Sequence, residues 1–408
     1  TIDGVLVKDG VATFQTAAGS PLVFEGATAD AFETTFAITD PTADRTITFP
    51  DSSFTVPTAG GGKNIVQNGA MQIAQRATTV TGLTAGPYTT CDRWRWSLAT
   101  LGTWTSAQEN LTTGNAFADG FRKAFRIDCT TADASPAAGD VFVVQQRIEG
   151  YNAQGLKKGT ANAESTTISF WVKSTTIGTY SFGLFDTDND RNIWQLYTIS
   201  VANTWEKKTI TFAGDTTGGT LTNDNNSGLE MWWYLGAGSN YTTGTLQTSW
   251  GANTWANNAV GTTQLAASTA NDWAITGVQL EIGTTATPFE HQFFGQELAT
   301  CQRYYEKSYD TGTDPGSATA SSAWLMRHPT AGAGAFFIPY KVSKRTNPTT
   351  VTYGRASGTS GKVTNMSGGA SDIAGAFISG GIQSTVVYWT STGSETYVEG
   401  QWTADAEL

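Results

Sequence analysis

Charge is scarce in this sequence. Only 14% of its 408 residues are Asp, Glu, Lys or Arg, against about a quarter in ordinary soluble domains. What charge there is leans acidic, with a formal net of −11. Nucleic acid is a poor partner for such a chain, because phosphate binding needs clustered Lys and Arg. The same balance argues against an acidic polysaccharide held by overall charge. A neutral sugar, or an acidic one bridged by a divalent cation, fits better. Histidine is nearly missing, with His291 and His328 alone, and the three cysteines (Cys91, Cys129, Cys301) are odd in number and widely spaced. No CxxC occurs, so neither a zinc site nor a disulfide framework is expected. Reduced, buried cysteines suit assembly in a cytoplasm. There is no signal-peptide pattern and no apolar run near eighteen residues, so membrane insertion is not expected.

Catalytic signatures are missing as well. No GxSxG, HExxH, P-loop or dinucleotide fingerprint is present. Glycosidases need two carboxylates about 5–10 Å apart. With 35 acidic residues some such pair is inevitable by number, and none sits in a recognisable motif. The chain reads as a non-enzyme. No fixed-period repeat argues for a solenoid or propeller.

What is present favours strands. Gly reaches 45 residues, Thr is abundant, and aromatics make up 12%, with 14 Trp and 20 Phe. Thr and aromatics favour strands, and Gly and Asn favour tight turns. The aromatics supply enough apolar surface to escape disorder. The expected fold class is all-β, with many short strands.

Along the chain, 1–63 reads as an N-terminal β shaft or attachment segment. "GVLVKDGVATFQT" alternates around Asp9-Gly10, a hairpin signal, and "PLVFEG", "FETTFAIT" and "RTITFP" follow. So short a segment buries little core alone. Its apolar residues Val23, Phe24, Phe32, Phe36, Ile38, Ile47 and Phe49 would pack on other chains, and "PTAGGGK" (57–63) would be a flexible joint. Residues 64–294 carry strands at 167–174, 179–186, 193–201, 205–214, 229–236 and 273–283, spaced as in a β-sandwich. In "LEMWWYLG", Met231 and Trp233 share one face and Trp232 and Tyr234 the other. The pattern leaves open whether that strand is buried on both sides or exposes aromatic surface. Residues 295–309 switch to helical period, with Leu298, Cys301, Tyr305 and Ser308 on one face of a short neck helix. Residues 310–408 return to strands as a smaller β domain, the expected tip.

Aromatic side chains are the groups best suited to a sugar, whose apolar C–H face can lie on a ring. Trp104, Trp194, Trp232, Trp250 and Trp255 are candidates in the central block. Trp324, Tyr388, Trp389 and Trp402 are candidates in the last domain, with His328 beside them as a recognition residue. Trp324 and Trp389 are preferred as exposed, because Gly/Ser/Thr loops lie close by. Core packing is the plainer reading for each tryptophan taken singly. "DTDNDRN" sets Asp186, Asp188 and Asp190 at alternate positions, hard oxygen ligands suited to Ca²⁺. The EF-hand pattern is not met, and a solvated hairpin turn is the plainer reading.

Several segments together resemble phage tail-fibre proteins. "NIVQNGAMQIAQRAT" (64–78) followed by "YTTCDRW" (88–94) resembles the opening of a fibre domain, with Ala74 where the family commonly has Trp and Ala77 where it has Gly. "SFWVKS" (169–174), "NTWEKKTITFAGDTTG" (203–218), "ITGVQLEIGTTATPFEH" (275–291), "ELATCQRYYEKS" (297–308) and the final "ADAEL" continue it. Residues 22–51 are similar to shaft segments in structural proteins of marine phages. The resemblance implies a galactose-binding-like jelly-roll for the central block, a fold shared with carbohydrate-binding modules, within a multi-domain trimeric fibre. The expected role is a phage tail or virion fibre that recognises its host by weak binding of a cell-surface glycan, multiplied by three linked sites. Expected partners are two further copies, other tail or virion proteins through the N-terminal region, and host polysaccharide. The expected place is the virion, assembled in the host cytoplasm. A purely structural virion fibre or connector is the alternative, and a polysaccharide depolymerase a second.

Overall fold

Strand outweighs helix by 44% to 9% in the computed structural model of the protein, as the composition leads one to expect. The structure describes residues 5–8, 11–14, 22–24 and 34–36 by backbone pairing. It also describes 64–408, apart from 87, 329–331, 368 and 392–395 and the side chains of 328, 378, 379, 391 and 396. The chain divides into two units, Thr1–Thr58 and Ala59–Leu408.

In the first unit β1 (Val5–Lys8) pairs antiparallel with β2 (Val11–Phe14), and Lys8 opposite Val11 leaves two residues between them. This is the hairpin that the alternation around Asp9-Gly10 predicts. β3 (Leu22–Phe24) pairs with β4 (Thr34–Phe36). The apolar faces proposed for this segment, the strand at 45–50 and the joint at 57–63 lie outside the described residues.

The second unit opens with twelve strands: β5 (Thr79–Leu83), β6 (Arg95–Ala99), β7 (Thr103–Asn110), β8 (Lys123–Thr131), β9 (Val141–Glu149), β10 (Thr166–Ser174), β11 (Gly178–Asp186), β12 (Arg191–Ile199), β13 (Glu206–Phe212), β14 (Ser227–Ala237), β15 (Gly251–Ala252) and β16 (Asp272–Ile282). They form two six-stranded sheets, ordered β13-β10-β16-β8-β7-β5 and β15-β12-β11-β14-β9-β6. The sheets share one apolar core, to which alternate residues of each strand contribute: Ile168, Phe170 and Val172 from β10, Tyr180, Phe182 and Leu184 from β11, Met231 and Trp233 from β14. Trp233 anchors it, with its ring centroid 4.5 Å from Phe182, 5.5 Å from Trp94 and 5.8 Å from Phe170. Each such large side chain contributes about 1.5–3 kcal/mol through burial. Six strands read from the sequence reappear here within a few residues. All three cysteines are buried and unpaired with one another.

Eight more strands follow: β17 (Tyr305–Lys307), β18 (Trp324–His328), β19 (Gly332–Pro339), β20 (Thr349–Tyr353), β21 (Lys362–Asn365), β22 (Ser371–Gly380), β23 (Ser384–Ser391) and β24 (Thr396–Asp405). β24 organises them, pairing with β17, β18, β20 and β21. A second apolar cluster gathers Trp324, Ile338, Val363, Val387, Trp389 and Trp402. The neck helix is shorter than its periodicity suggests. It spans Phe294–Gln302, so Tyr305 and Ser308 do not share its face. Two demands end it: the backbone of 305–307 pairs with β24, and the Tyr304 and Tyr305 rings cover the guanidinium groups of Arg93 and Arg76, at 3.4 and 3.8 Å.

Those two arginines belong to the segments that resemble fibre proteins, and they bind the last residues of the sequence to the sandwich. Arg93 is fully buried and pairs with Glu407, while its Nη2 donates to the Arg147 carbonyl at 2.6 Å. Arg76 reaches Asp405 at 2.9 Å and Glu407 at 3.4 Å. Asp92 accepts the Gln75 backbone N–H at 2.9 Å and its amide at 2.5 Å. The Asn68 side chain holds Ile73 and Asp92 backbone groups, and its backbone N–H donates to Glu297 at the helix start. The seam therefore joins residues 64–94, the neck and the "ADAEL" ending in one hydrogen-bonded assembly.

Candidate functional site

The preferred aromatic pair of the last domain does not face solvent. Trp324 is 9% exposed and Trp389 1%, and their rings lie 5.5 Å apart in the second core, with Phe336 stacked on Trp324 at 5.0 Å. The neighbouring glycines, taken as a sign of open loops, have the opposite role. A Cβ on Gly400 would stand 2.9 Å from the Trp324 ring, and one on Gly334 2.6 Å from that of Trp389. They leave room for indoles lying flat against the sheet. Tyr388 is half-buried on the opposite face of β23. The His328 side chain lies outside the described residues. Trp104, Trp194 and Trp402 are buried too.

The three aspartates do not converge on a cation. Asp186 is fully buried and paired with the Lys158 ammonium. Lys158 also meets Asp215 at 3.0 Å, and Arg191 meets Asp215 at 2.8 Å. Asp188 accepts the Thr222 N–H at 2.8 Å, and Asp190 the Asn253 amide at 3.1 Å. The ammonium takes the place next to Asp186 that a metal would need. Among the described residues no group of three or more His, Cys, Asp or Glu could hold a metal ion. Burial would raise the Asp215 carboxyl, but hydrogen bonds from Arg191 and Lys158 outweigh it and hold it at about 2.

Trp232 has different surroundings. Alternation on β14 sends Met231 and Trp233 into the core, so Trp232 stands on the outer face of the second sheet, half-buried against Trp194 and Tyr234. It opposes Gly183 of β11 on one side and Gln145 of β9 on the other. Gly183 in turn opposes Trp194 of β12, and Gln145 opposes Arg95 of β6. One row across five strands thus reads Arg95, Gln145, Trp232, Gly183, Trp194. A Cβ on Gly183 would be 2.2 Å from the Trp194 ring. Its absence lets Trp194 lie across the strand and support Trp232, centroid to centroid 6.4 Å.

The next row is polar on one side and aromatic on the other. Arg147 of β9 opposes Glu230 of β14, which opposes Phe185 of β11. Phe185 sits 5.5 Å from Trp232 and 6.1 Å from Trp255, which is 46% exposed. Trp232 and Trp255 are 6.1 Å apart. Together the three rings make an aromatic platform. A groove of about 540 Å³ opens beside it, lined by Ser239, Asn240, Tyr241, Thr243, Trp255 and Ala256. The platform's fringe is fixed by Glu230, which accepts Trp232 Nε1–H at 2.6 Å and forms an ion pair with Arg147, 2.8 Å away. A bonded indole N–H holds the ring in one orientation. A platform with polar groups at its edge can take the C–H face of a sugar while its hydroxyls bond sideways.

Of the residues here, Trp232 and Trp255 are legible from sequence as aromatics. Arg95, Gln145, Arg147, Glu230 and Phe185 are not, because cross-strand register brings them together. The alternation in "VFVVQQRIE" does put Gln145 and Arg147 on one face, a signal that identifies the face but not its neighbours.

No family model and no curated protein matches the chain. Solved structures similar to it include the enzymatically active domain of tailspike protein 4 from bacteriophage CBA120, at 14% identity and TM-score 0.28, over 54% of this chain and 21% of that one. A family 11 carbohydrate-binding module from Clostridium thermocellum in complex with a mixed-linked tetrasaccharide is similar at 12% identity and TM-score 0.24, over 49% of this chain and 91% of that one. The N-terminal cellulose-binding domain of a Cellulomonas fimi β-1,4-glucanase is similar at 11% identity and TM-score 0.23, over 52% of this chain and all of that one. The chain thus spans about a fifth of the tailspike's length.

Proposed function

We propose that this chain is a non-enzymatic glycan-binding component of a phage tail or virion fibre, working as a homotrimer on the virion. The observation that carries the glycan reading is the outward platform of Trp232, Phe185 and Trp255, edged by Glu230 and Arg147. Trp232 packs against the small apolar cluster of Val143, Trp194 and Tyr234 on the outer face, and the part of its ring left open, with Phe185 and Trp255, offers a sugar ring an apolar surface. The sandwich face, rather than the buried tryptophans of the last domain, is the binding surface in this reading. The fibre part rests on the segments at 64–94, 203–218, 275–308 and 404–408. Glu230 is already bonded to Arg147 and Trp232, which suits positioning better than acid–base chemistry.

Binding of purified full-length chain to host-cell polysaccharide tests the reading. Trp232→Ala and Trp255→Ala are each expected to weaken retention at least tenfold while the melting temperature stays within a few degrees. Undiminished retention by both variants would overturn the platform's role. Light scattering after gel filtration tests the assembly: a stable species of 43.3 kDa at micromolar concentration would exclude the trimer.

A further inference from the structure

The outer face of β6, β9 and β14 carries two guanidinium groups, Arg95 and Arg147, and the carboxylate of Glu230, with Glu149 at the end of β9 paired to Arg303 at 2.7 Å. The Glu230 carboxylate is engaged: one oxygen accepts from Trp232 at 2.6 Å, and the other accepts from Ser227 at 3.2 Å and is ion-paired with Arg147 at 2.8 Å. Arg95 has no carboxylate within ion-pair distance among the described residues, and its recorded contact is the Tyr88 ring at 5.9 Å. It is half-buried. Burial, and then the like charge of Arg147, pull its guanidinium below the usual range against the weaker opposite pull of Tyr88, Glu230 and Glu407. A fixed positive group left beside another one is costly unless an anion joins them. Between Arg95 and Trp232 in the row lies Gln145, 2% exposed, whose Oε1 has no hydrogen-bond partner among the described residues. The chain as a whole is acidic, so a local excess of positive charge beside an aromatic platform is not a by-product of composition.

We infer that this face takes a carboxylate-bearing sugar, its ring on Trp232 and its carboxylate between Arg95 and Arg147. The inference rests on the proposed reading of the platform and adds the class of ligand. Two strand spacings separate Arg95 from Trp232, about 10 Å between backbones, the scale of one to two sugar rings. The planar guanidinium fork matches a carboxylate through two parallel hydrogen bonds. Overall charge led to the expectation of a neutral or cation-bridged sugar. The face itself supplies the countercharge directly, with no cation required.

Isothermal titration of the full chain tests this with oligogalacturonate, oligoglucuronate and oligomannuronate, each beside its carboxyl-reduced neutral counterpart. At least one acidic probe is expected to bind, to weaken tenfold or more on carboxyl reduction, and to weaken as salt rises. Arg95→Gln should lose the same factor for the acid and nothing for the neutral form, and Arg95→Lys should recover part of it. Trp232→Ala should weaken both forms. Equal binding of acid and neutral forms, indifference to Arg95→Gln, or binding of no acidic probe would each overturn the acidic-sugar assignment. The platform reading fails separately, if Trp232→Ala leaves all binding unchanged. Carboxyl reduction and salt dependence read the wild-type protein, so the test survives a variant that does not fold.

Discussion

At the scale of single residues, Gly183 determines what Trp194 and Trp232 can do. A methyl group there would overlap the Trp194 ring at 2.2 Å. Overpacking of this kind typically costs about 1–3 kcal/mol. Gly183→Ala is therefore expected to lower the urea midpoint by a corresponding amount and to weaken glycan retention by tilting the platform. Trp232→Ala should weaken retention by a larger factor than any loss of midpoint accounts for, since it removes the contact itself. The contrast separates support from contact. Residue identity alone did not sort the tryptophans. Trp324 and Trp389 stand near glycines, as an exposed pair would, yet those glycines make room for buried rings. Trp232 is distinguished by its strand neighbours, Met231 and Trp233, which claim the core side. The aspartates of "DTDNDRN" show the same limit, because the cation that meets Asp186 is Lys158, 28 positions away in sequence.

At the scale of elements, strand positions were legible and strand partners were not. Alternation located β10 through β14 and β16, since one face of each enters a core. It could not show that β6 and β9 border β14, the register that builds the candidate site. The neck shows a different failure. Helical period continued through Tyr305, but pairing with β24 and the coverage of two arginines overrode it. The segments at 64–94 and 404–408 were legible as a set, while their shared role lies in contacts spanning more than three hundred positions. Arg93 and Glu407 are a buried pair. Removing one charge of such a pair leaves the other uncompensated, at about 3–5 kcal/mol. Glu407→Gln is expected to cost that much in chemical denaturation. Combining it with Arg93→Met should recover a large part, because no lone charge then remains buried. A cost of Glu407→Gln below about 1 kcal/mol would show that the seam does not depend on this pair.

At the scale of the whole molecule, stability should resist mild acid at the Lys158–Asp215–Arg191 cluster. Asp215 titrates at about 2 in the folded chain and near 3.9 when unfolded. A carboxyl depressed by folding favours the folded state above the unfolded value and loses that advantage as pH falls through the folded one. The urea midpoint of the natural chain should therefore exceed that of Asp215→Asn by a constant amount above about pH 4. The gap should narrow between about 4 and 2. A gap that stays constant to pH 2 would mean that Asp215 is not held by its cationic neighbours. The class of the fold was legible at this scale from scarce charge and abundant Thr, Gly and aromatics. The placement of charge was not. An acidic total concealed a basic face, because net charge sums over a surface that a ligand samples only locally.

The Arg93–Glu407 pair also bears on how the chain is made. Residue 93 is added to the chain 314 residues before its counter-ion. At about 5–20 residues per second the wait is on the order of tens of seconds. Through that interval the sandwich can collect its strands, but a guanidinium destined for full burial has no partner, so the seam closes only after synthesis has passed residue 407. A nascent chain held at residue 400 should therefore have a protease-sensitive segment around 64–94 that becomes resistant once residues 401–408 have emerged.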